Sequence, residues 1–344
     1  MTPPPLVSVV TPMYQGAGHV AEAVASVREQ SVGALEHVVV DDGSTDDGRE
    51  VMAELLRHDR RLRFLQQPNA GLSAARNAGW AACDPRSPFL LFLDHDDVLR
   101  PGALEALVDA LGRAPASPAA HGRTAAVDGW GREVGLVRSE ASVRREVERP
   151  ERWVALPSRV RRLCDDEPTT FASIAYVLHV YTAGQVLIRR TALEAVGGFE
   201  RRLRLAQDYD MWLRLAALGP LAFVPRVLLD YRQVAGSMSS DASLTRHEDL
   251  VCRFVAMTSP SVPAVVRATA RHAHRQHEWH RAADRLRLVR GAAGRGSGPL
   301  ARELARAGRS IAEAVLASTA ATAHLRARSD GAVRAIVAER GRAA

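Results

Sequence analysis

The run Leu93-Asp94-His95-Asp96-Asp97 sets three carboxylates at the exit of a strongly apolar stretch, Phe89-Leu90-Leu91-Phe92. Like charges this close repel, and the repulsion needs a cation or hydrogen-bond donors to offset it. Asp94 and Asp96, two apart at a strand end, project to one side and can face a single bound species. Hard divalent cations such as Mg²⁺ or Mn²⁺ take oxygen ligands, often one or two carboxylates completed by substrate phosphates. Asp97, shortly before a helix expected near Pro101, reads as turn or cap chemistry.

A second acidic cluster, Asp41-Asp42-Gly43-Ser44-Thr45-Asp46, follows His37-Val38-Val39-Val40. Asp41, Ser44 and Asp46 fit a turn leading into a helix cap. A carboxylate held at this edge can instead accept the N–H of a pyrimidine ring. Tyr14, in Thr11-Pro12-Met13-Tyr14, can stack on such a base. Gly71 to Gly79 makes a helix of small residues able to pack closely on a sheet, and Arg76 is its one charge. That Arg can meet a diphosphate through paired hydrogen bonds or tie down a neighbouring Asp, and both roles stay open.

Gln207-Asp208-Tyr209-Asp210-Met211-Trp212 opens a helix whose inner face is Met211, Trp212 and Leu215. Asp208 shares that side and Asp210 is expected in solvent. Asp208 is either a helix cap or, kept ionised by the helix dipole, a general base. The His-rich stretch from Arg271 to His280 lacks the i, i+4 imidazole pair of a helical metal site and reads as solvated helix.

These clusters need a frame to bring them together. Leu6 to Val10, His37 to Val40, Leu62 to Leu65 and Phe89 to Leu93 read as strands, the first ended by Thr11-Pro12. Val20 to Gln30, Asp47 to His58 and Gly71 to Cys83 have helical spacing between them. That alternation predicts an α/β fold with a mostly parallel, Rossmann-like sheet and flanking helices. Ligands of such sheets sit beyond the carboxyl ends of the strands, where the polar clusters fall. Gly112 to Pro168 reads as an irregular insertion with a strand near Thr124–Asp128 and a helix near Glu140–Val147. A strand follows at Gly184–Ile188, then helices from Thr191 and over Asp208–Leu218, the latter closed by Gly219-Pro220.

Bulk properties narrow the class. The 344 residues, 47% hydrophobic, suffice for a large core with an appendage. No apolar run is long enough to span a bilayer, and Met1-Thr2-Pro3-Pro4-Pro5 has no signal-peptide pattern, so a cytoplasmic location is expected. Three scattered cysteines, Cys83, Cys164 and Cys252, do not make a disulfide framework or a zinc site. All basic residues are Arg. From Thr245 onward 18 Arg face 8 acidic residues, a net of +10, which leaves −3 for the remainder of a chain whose total is +7. The expected division is therefore a catalytic domain over 1–244 and an Arg-rich helical appendage over 245–344. The appendage reads either as a cover on the catalytic domain or as a surface for anionic lipid on the inner face of a membrane. Nucleic acid is not an expected partner.

Taken in order, the clusters resemble the family 2 glycosyltransferases, inverting enzymes with the GT-A fold. The resemblance rests on Val7 to Tyr14, Val39 to Asp46, Gly71 to Gly79, Phe92 to Asp97, Ile188 to Phe199 and Gln207 to Arg214. It implies transfer of a sugar from a nucleotide-diphosphate donor, UDP by default, to a hydroxyl of a glycan or lipid-linked acceptor. It further implies that Thr11, Pro12, Tyr14 and Asp42 cradle the nucleobase and that Asp94 contacts ribose or metal. Asp96 would hold the divalent cation, Mg²⁺ or Mn²⁺, and Asp208 would be the base. Arg76 is counted among the residues that bind the nucleotide sugar. Three positions depart from the family pattern: Gln15 replaces a common Asn, Gln207 a common Glu, and Val234 a frequent His. The competing reading is a nucleotide-sugar-binding protein without catalysis. A nicotinamide-dependent oxidoreductase would need a Gly-x-Gly-x-x-Gly turn, which Thr11 to Gly16 lacks.

Overall fold

Every residue of β1 (Val7–Met13) is buried, as befits a strand covered on both faces. It pairs in parallel with β2 (Leu35–Asp41) and β4 (Phe89–Phe92), and β2 pairs in parallel with β3 (Leu62–Gln66). The computed structural model describes residues 3–134, 152–156 and 159–233, with isolated positions between 252 and 276. The helix expected over Glu140–Val147, the segment with Val234, and nearly all of the basic region from Thr245 lie outside the described residues.

The described residues form two compact units. The smaller contains the antiparallel hairpin of β7 (Arg152–Leu156) and β8 (Arg159–Leu163), with α5 (Phe171–Tyr176). Its core joins Val154 and Leu163 of the hairpin to Ala172 of α5.

The larger unit holds the acidic clusters at the ends of the apolar strands. Besides the first four strands it contains β5 (Val98–Leu99), β6 (Ala119–Val127), β9 (Val186–Arg189) and β10 (Ala222–Arg232). Among the described residues the sheet has eight strands in the order β3-β2-β1-β4-β9-β6-β10-β5. β9 runs antiparallel to both β4 and β6, and β10 is parallel to β6. The carboxyl ends of β1, β2, β4, β6 and β10 therefore share one edge.

Side-chain alternation sorts the cover onto two faces. On one face Val7 and Val9 pack with Ala23 and Val27 of α1 (Val20–Arg28) and with Leu104, Leu107 and Leu111 of α4 (Ala103–Arg113). Met13 and Val39 continue that face toward Met52 of α2 (Gly48–Leu55). The other face carries α3 (Leu72–Ala82). There a Cβ built on Gly79 would stand 2.3 Å from Val10 Cγ1 and 3.1 Å from Val40 Cγ2, so the backbone of α3 lies directly on β1 and β2. The small residues foreseen for this helix serve that close approach.

Two expectations change. β1 continues through Thr11-Pro12 to Met13 rather than stopping. The Val10 carbonyl accepts from Leu93 N on the β4 side and the Met13 carbonyl from Asp42 N on the β2 side. By alternation Pro12 faces the β4 side, beyond the last β1–β4 pair at Val10–Phe92, where a missing N–H costs no ladder bond. β9 begins at Val186, because Ala183–Gln185 forms a 3₁₀ turn whose Thr182 and Gln185 make a capping box. The remaining helices are α6 (Arg190–Val196) and α7 (Gln207–Leu218).

Candidate active site

The chain leaves β4 and turns at once, closed by Asp97 N donating to the Asp94 carbonyl at 3.1 Å. Asp94 and Asp96 are thus neighbours on a turn rather than alternate residues of an extended strand. Their proximity shows electrostatically: burial first, and then the Asp94 charge, push the Asp96 carboxyl above the usual carboxylate range, with His95 opposing. The backbone N–H of Asp96 itself donates to its carboxylate and only partly offsets this rise. Asp97 departs from the cap expected of it. α4 is capped by Gly102 without any side-chain bond. Asp97 is instead buried, accepting from Arg232 N at 3.1 Å and Thr182 Oγ1 at 3.0 Å. Burial and the charges of Asp96 and Asp94 hold its carboxyl well above the ordinary range.

Arg76 organises the centre. Its side chain is fully buried, although it carries a charge. Nη2 donates to Asp94 Oδ1 at 2.7 Å and Oδ2 at 3.0 Å, and Nη1 donates to Asp208 Oδ1 at 2.5 Å. The Phe199 ring lies 4.9 Å from the guanidinium carbon and meets Phe92 edge-on. Of the two roles open to Arg76, the structure shows the tie to neighbouring carboxylates. Both Nη atoms donate to Asp94 and Asp208, while Nε has no hydrogen-bond partner among the described residues.

Asp208 sits in the first turn of α7, but the N-cap is Ala206 and no side chain caps the helix. Its side chain keeps 16% exposure at the opening of this cluster. Burial drives the Asp208 carboxyl up to about 6; the Arg76 charge opposes this and the Asp94 charge adds to it. A carboxylate poised there is ionised at neutral pH yet basic enough to take a proton. Asp210, expected in solvent, is buried and paired with Arg214 at 2.7 Å. The cause is local: Arg214 Nη1 also donates to the carbonyl of Val196 at the end of α6, which covers that side of α7.

At the ends of β1 and β2 the predicted nucleobase contacts divide. Tyr14 is 50% exposed and available for stacking. Pro12 is buried beside it. The Thr11 hydroxyl alternates inward and bonds His37 Nε2 at 2.8 Å, with Thr11 fully buried. Burial pushes the pKa of His37 down to about 3, so this partner is neutral. Asp42 Oδ1 accepts from Gln67 Nε2 at 2.6 Å and Ala70 N at 2.9 Å, and Oδ2 from Gly71 N at 2.8 Å. One of roughly four lone-pair positions remains. Asp41 is structural as expected, accepting from Ser44 N and Arg49 Nε. Gln15 adopts φ 52°, a left-handed conformation that Asn tolerates best among ordinary residues. Its amide oxygen compensates by accepting from Thr45 N at 2.8 Å.

Arg232 was not foreseen. Nε donates to the Asp96 carbonyl at 2.9 Å, Nη1 to the Gly129 carbonyl at 3.0 Å, and Nη2 to Glu22 Oε2 at 2.5 Å. No spacing rule marks an Arg at the end of a strand as the clamp of a loop 136 residues earlier.

A family model described as Glycosyl transferase family 2 matches residues 8–197, which include the Asp42, Arg76 and Asp94–Asp96 motifs. The chain belongs to glycosyl transferase family 2. This glycosyltransferase is 28% identical over 223 residues to the chondroitin synthase of Escherichia coli, a match covering 65% of the chain and 28% of that relative. It thus spans well under two thirds of the length of that protein. Among solved structures, TarS of S. aureus in complex with UDP-GlcNAc superposes with a TM-score of 0.61 at 17% identity, covering 98% of this chain and 89% of that one. The mannosyltransferase PcManGT of Pyrobaculum calidifontis, in complex with GDP-Man and Mn²⁺, gives 0.56 at 18% identity, covering 99% and 88%. The fold of the glycosyltransferase is that of the GT-A enzymes, with Asp208 lying just beyond the span of the family match. Among the described residues, no helix is long and apolar enough to cross a membrane.

Proposed function

We propose that this glycosyltransferase moves a sugar, with inversion, from a UDP-sugar to a hydroxyl of a glycan or lipid-linked acceptor. The observation that carries the reading is the shared Arg76 guanidinium, which holds Asp208 within one hydrogen-bonded group with Asp94. In this reading Tyr14 stacks on the nucleobase and Asp42 accepts a ring N–H at its remaining lone pair, while Pro12 shapes the floor. Asp208 takes the proton of the acceptor hydroxyl as that oxygen attacks the anomeric carbon. The bond from that carbon to the diphosphate oxygen breaks, and the nucleotide leaves from the opposite face. Arg76 keeps Asp208 ionised enough to serve and fixes where its oxygens point.

The residues present suit a divalent cation. Asp96 is a carboxylate whose pKa is raised by burial and by Asp94 despite a hydrogen bond from its own backbone N–H, and a hard cation relieves that kind of crowding. Asp94 and Asp96 would hold Mg²⁺ or Mn²⁺, which when bound supplies positive charge beside the departing diphosphate. The Mn²⁺ in the PcManGT complex supports this reading. A polysaccharide-type acceptor is supported by the name of the chondroitin synthase. Attachment of the Arg-rich region to the inner face of a membrane belongs to the same proposal.

One observation favours a second reading, donor binding without catalysis. Gln207 stands beside Asp208 where an acid is common, and its Oε1 is buried with no partner among the described residues. The two readings separate in a thermal-shift and transfer screen of nucleotide sugars with Mn²⁺ or Mg²⁺. Transfer or donor hydrolysis that disappears in Asp208→Asn, with the donor-induced shift retained, supports catalysis. A donor-induced shift with no turnover of any nucleotide sugar supports the binder.

A further inference from the structure

Trp130 is 85% exposed, far more than the other large apolar side chains identified as exposed, Tyr14 and Leu218. A single exposed apolar residue is ordinary, but this one is mounted unusually firmly. It stands on the turn Asp128-Gly129-Trp130-Gly131, which follows β6. Asp128 Oδ1 accepts from both Trp130 N and Arg132 N at 2.9 Å, and Gly131 N donates to the Asp128 carbonyl at 3.0 Å. Gly131 has φ +77°, which the tight return to Arg132 requires. Asp128 N then bonds the Arg132 carbonyl at 2.9 Å, and Val127 bridges Glu133, so the turn is closed on both sides.

The turn is also fastened to the reaction centre. One planar guanidinium, that of Arg232, donates to Gly129 O at 3.0 Å and to Asp96 O at 2.9 Å. Arg232 Nη2 pairs with Glu22 on α1, which fixes the plane of the fork. The carboxyl end of β6 lies on the same sheet edge as the ends of β1 and β4. An indole is therefore presented to solvent on an ordered turn, one guanidinium away from the loop bearing Asp94 and Asp96.

We propose that the Trp130 ring is a stacking platform for a pyranose ring of a carbohydrate acceptor, with Arg232 as the positioning residue that holds it in place. A sugar ring offers an apolar face of C–H groups beside its hydroxyls, and a rigid aromatic plane meets that face at little entropic cost. The same turn carries two charged residues, Asp128 and Arg132. The occupant is thus a glycan, not a lipid tail or a second copy of the chain. The inference rests on the transfer reading above but is tested separately from it.

The test compares wild-type protein with Trp130→Phe and Trp130→Ala, each titrated with cellotetraose, chitotetraose and an alternating uronic acid–hexosamine hexasaccharide. The difference in emission between wild type and Trp130→Phe isolates Trp130 among the five tryptophans. Saturable quenching or a blue shift by at least one saccharide is expected, with the donor-induced thermal shift the same in all three proteins. With an acceptor that is glycosylated, Trp130→Ala should raise its KM about tenfold with much less change in kcat, and Trp130→Phe should restore most of the loss. Emission unchanged by all three saccharides, or an acceptor KM in Trp130→Ala equal to wild type, overturns the proposal. Nucleotide-sugar binding without any transfer would instead count against the catalytic reading, while the emission titration still decides the platform.

Discussion

Arg76 Nη1 stands 2.5 Å from Asp208 Oδ1, across 132 positions of sequence. The same guanidinium holds Asp94, so the carboxylate proposed to meet the donor and the one proposed to activate the acceptor share a single cation. Replacing Asp208 by Asn should keep a hydrogen-bond acceptor for Arg76 while removing the base. The expected loss in kcat is about 10²–10⁴-fold, with the donor-induced thermal shift retained. Thermal unfolding adds an independent check. Because burial raises the folded pKa of Asp208 from 3.8 to about 6, its favourable contribution is full below 3.8 and is lost as pH rises through 6. Asp208→Asn should therefore gain in Tm relative to wild type on going from pH 4 to pH 7.5.

The pH profile should carry the same group. With Asp208 as base, kcat/KM falls below an acidic limb near pH 6, where the carboxylate becomes protonated. Arg76→Lys retains a charge but not the fork that serves two carboxylates at once, and weaker support for the ionised form should move the limb upward. Gln207→Glu adds a buried negative neighbour and should move it upward too, by roughly one unit. A limb unmoved by both substitutions would detach the profile from Asp208.

Asp96 offers a different signature. Its carboxyl is raised by burial and by Asp94, so its charge burdens the folded protein at neutral pH. Asp96→Ala should abolish Mn²⁺-dependent turnover and the thermal shift produced by Mn²⁺ with UDP. In the absence of metal, the same variant should melt no lower than wild type at pH 7.5. Chelation of wild-type protein by EDTA should reproduce the activity loss without unfolding.

Gly79 tests the frame rather than the chemistry. A methyl group there would meet Val10 Cγ1 at 2.3 Å and Val40 Cγ2 at 3.1 Å, so the strand side chains or α3 must shift. Gly79→Ala should cost about 1–3 kcal/mol in a denaturant titration, despite the better helix propensity of Ala. Activity per folded molecule should fall as well, since α3 carries Arg76.

The parts of this architecture that were legible in the sequence are those written as local pattern. β1, β2 and β4 are continuous apolar runs with acids at their ends, and the topology did bring those ends together. β10 escaped because Pro225 interrupts it and its pairing with β6 shifts twice, between Phe223 and Val227 and between Val227 and Leu229. β5 has only two residues, too few for any periodicity. Asp210 was misplaced because helical phase says which way a residue points but not what lies over it, and Arg214 with the end of α6 lies there. Thr11 and Arg76 show a related limit of local pattern. A hydroxyl or guanidinium near a ligand motif is as useful for holding the motif together as for touching the ligand, and only the partners, His37 and the two Asp residues, decide which.

The position of β9 has a consequence for how the chain is made. β4 is a buried, wholly apolar strand, and one of its two edges pairs with β9, whose Arg189 aligns with Phe89. During synthesis that edge has no partner until about 100 further residues have left the ribosome, an interval of roughly 5–20 s. An unpaired hydrophobic edge left open for so long invites association between nascent chains. Fragments ending between α4 and β9 should aggregate although they contain every donor-side motif, and slower growth temperatures or chaperone co-expression should improve recovery of the full chain more than any change of buffer.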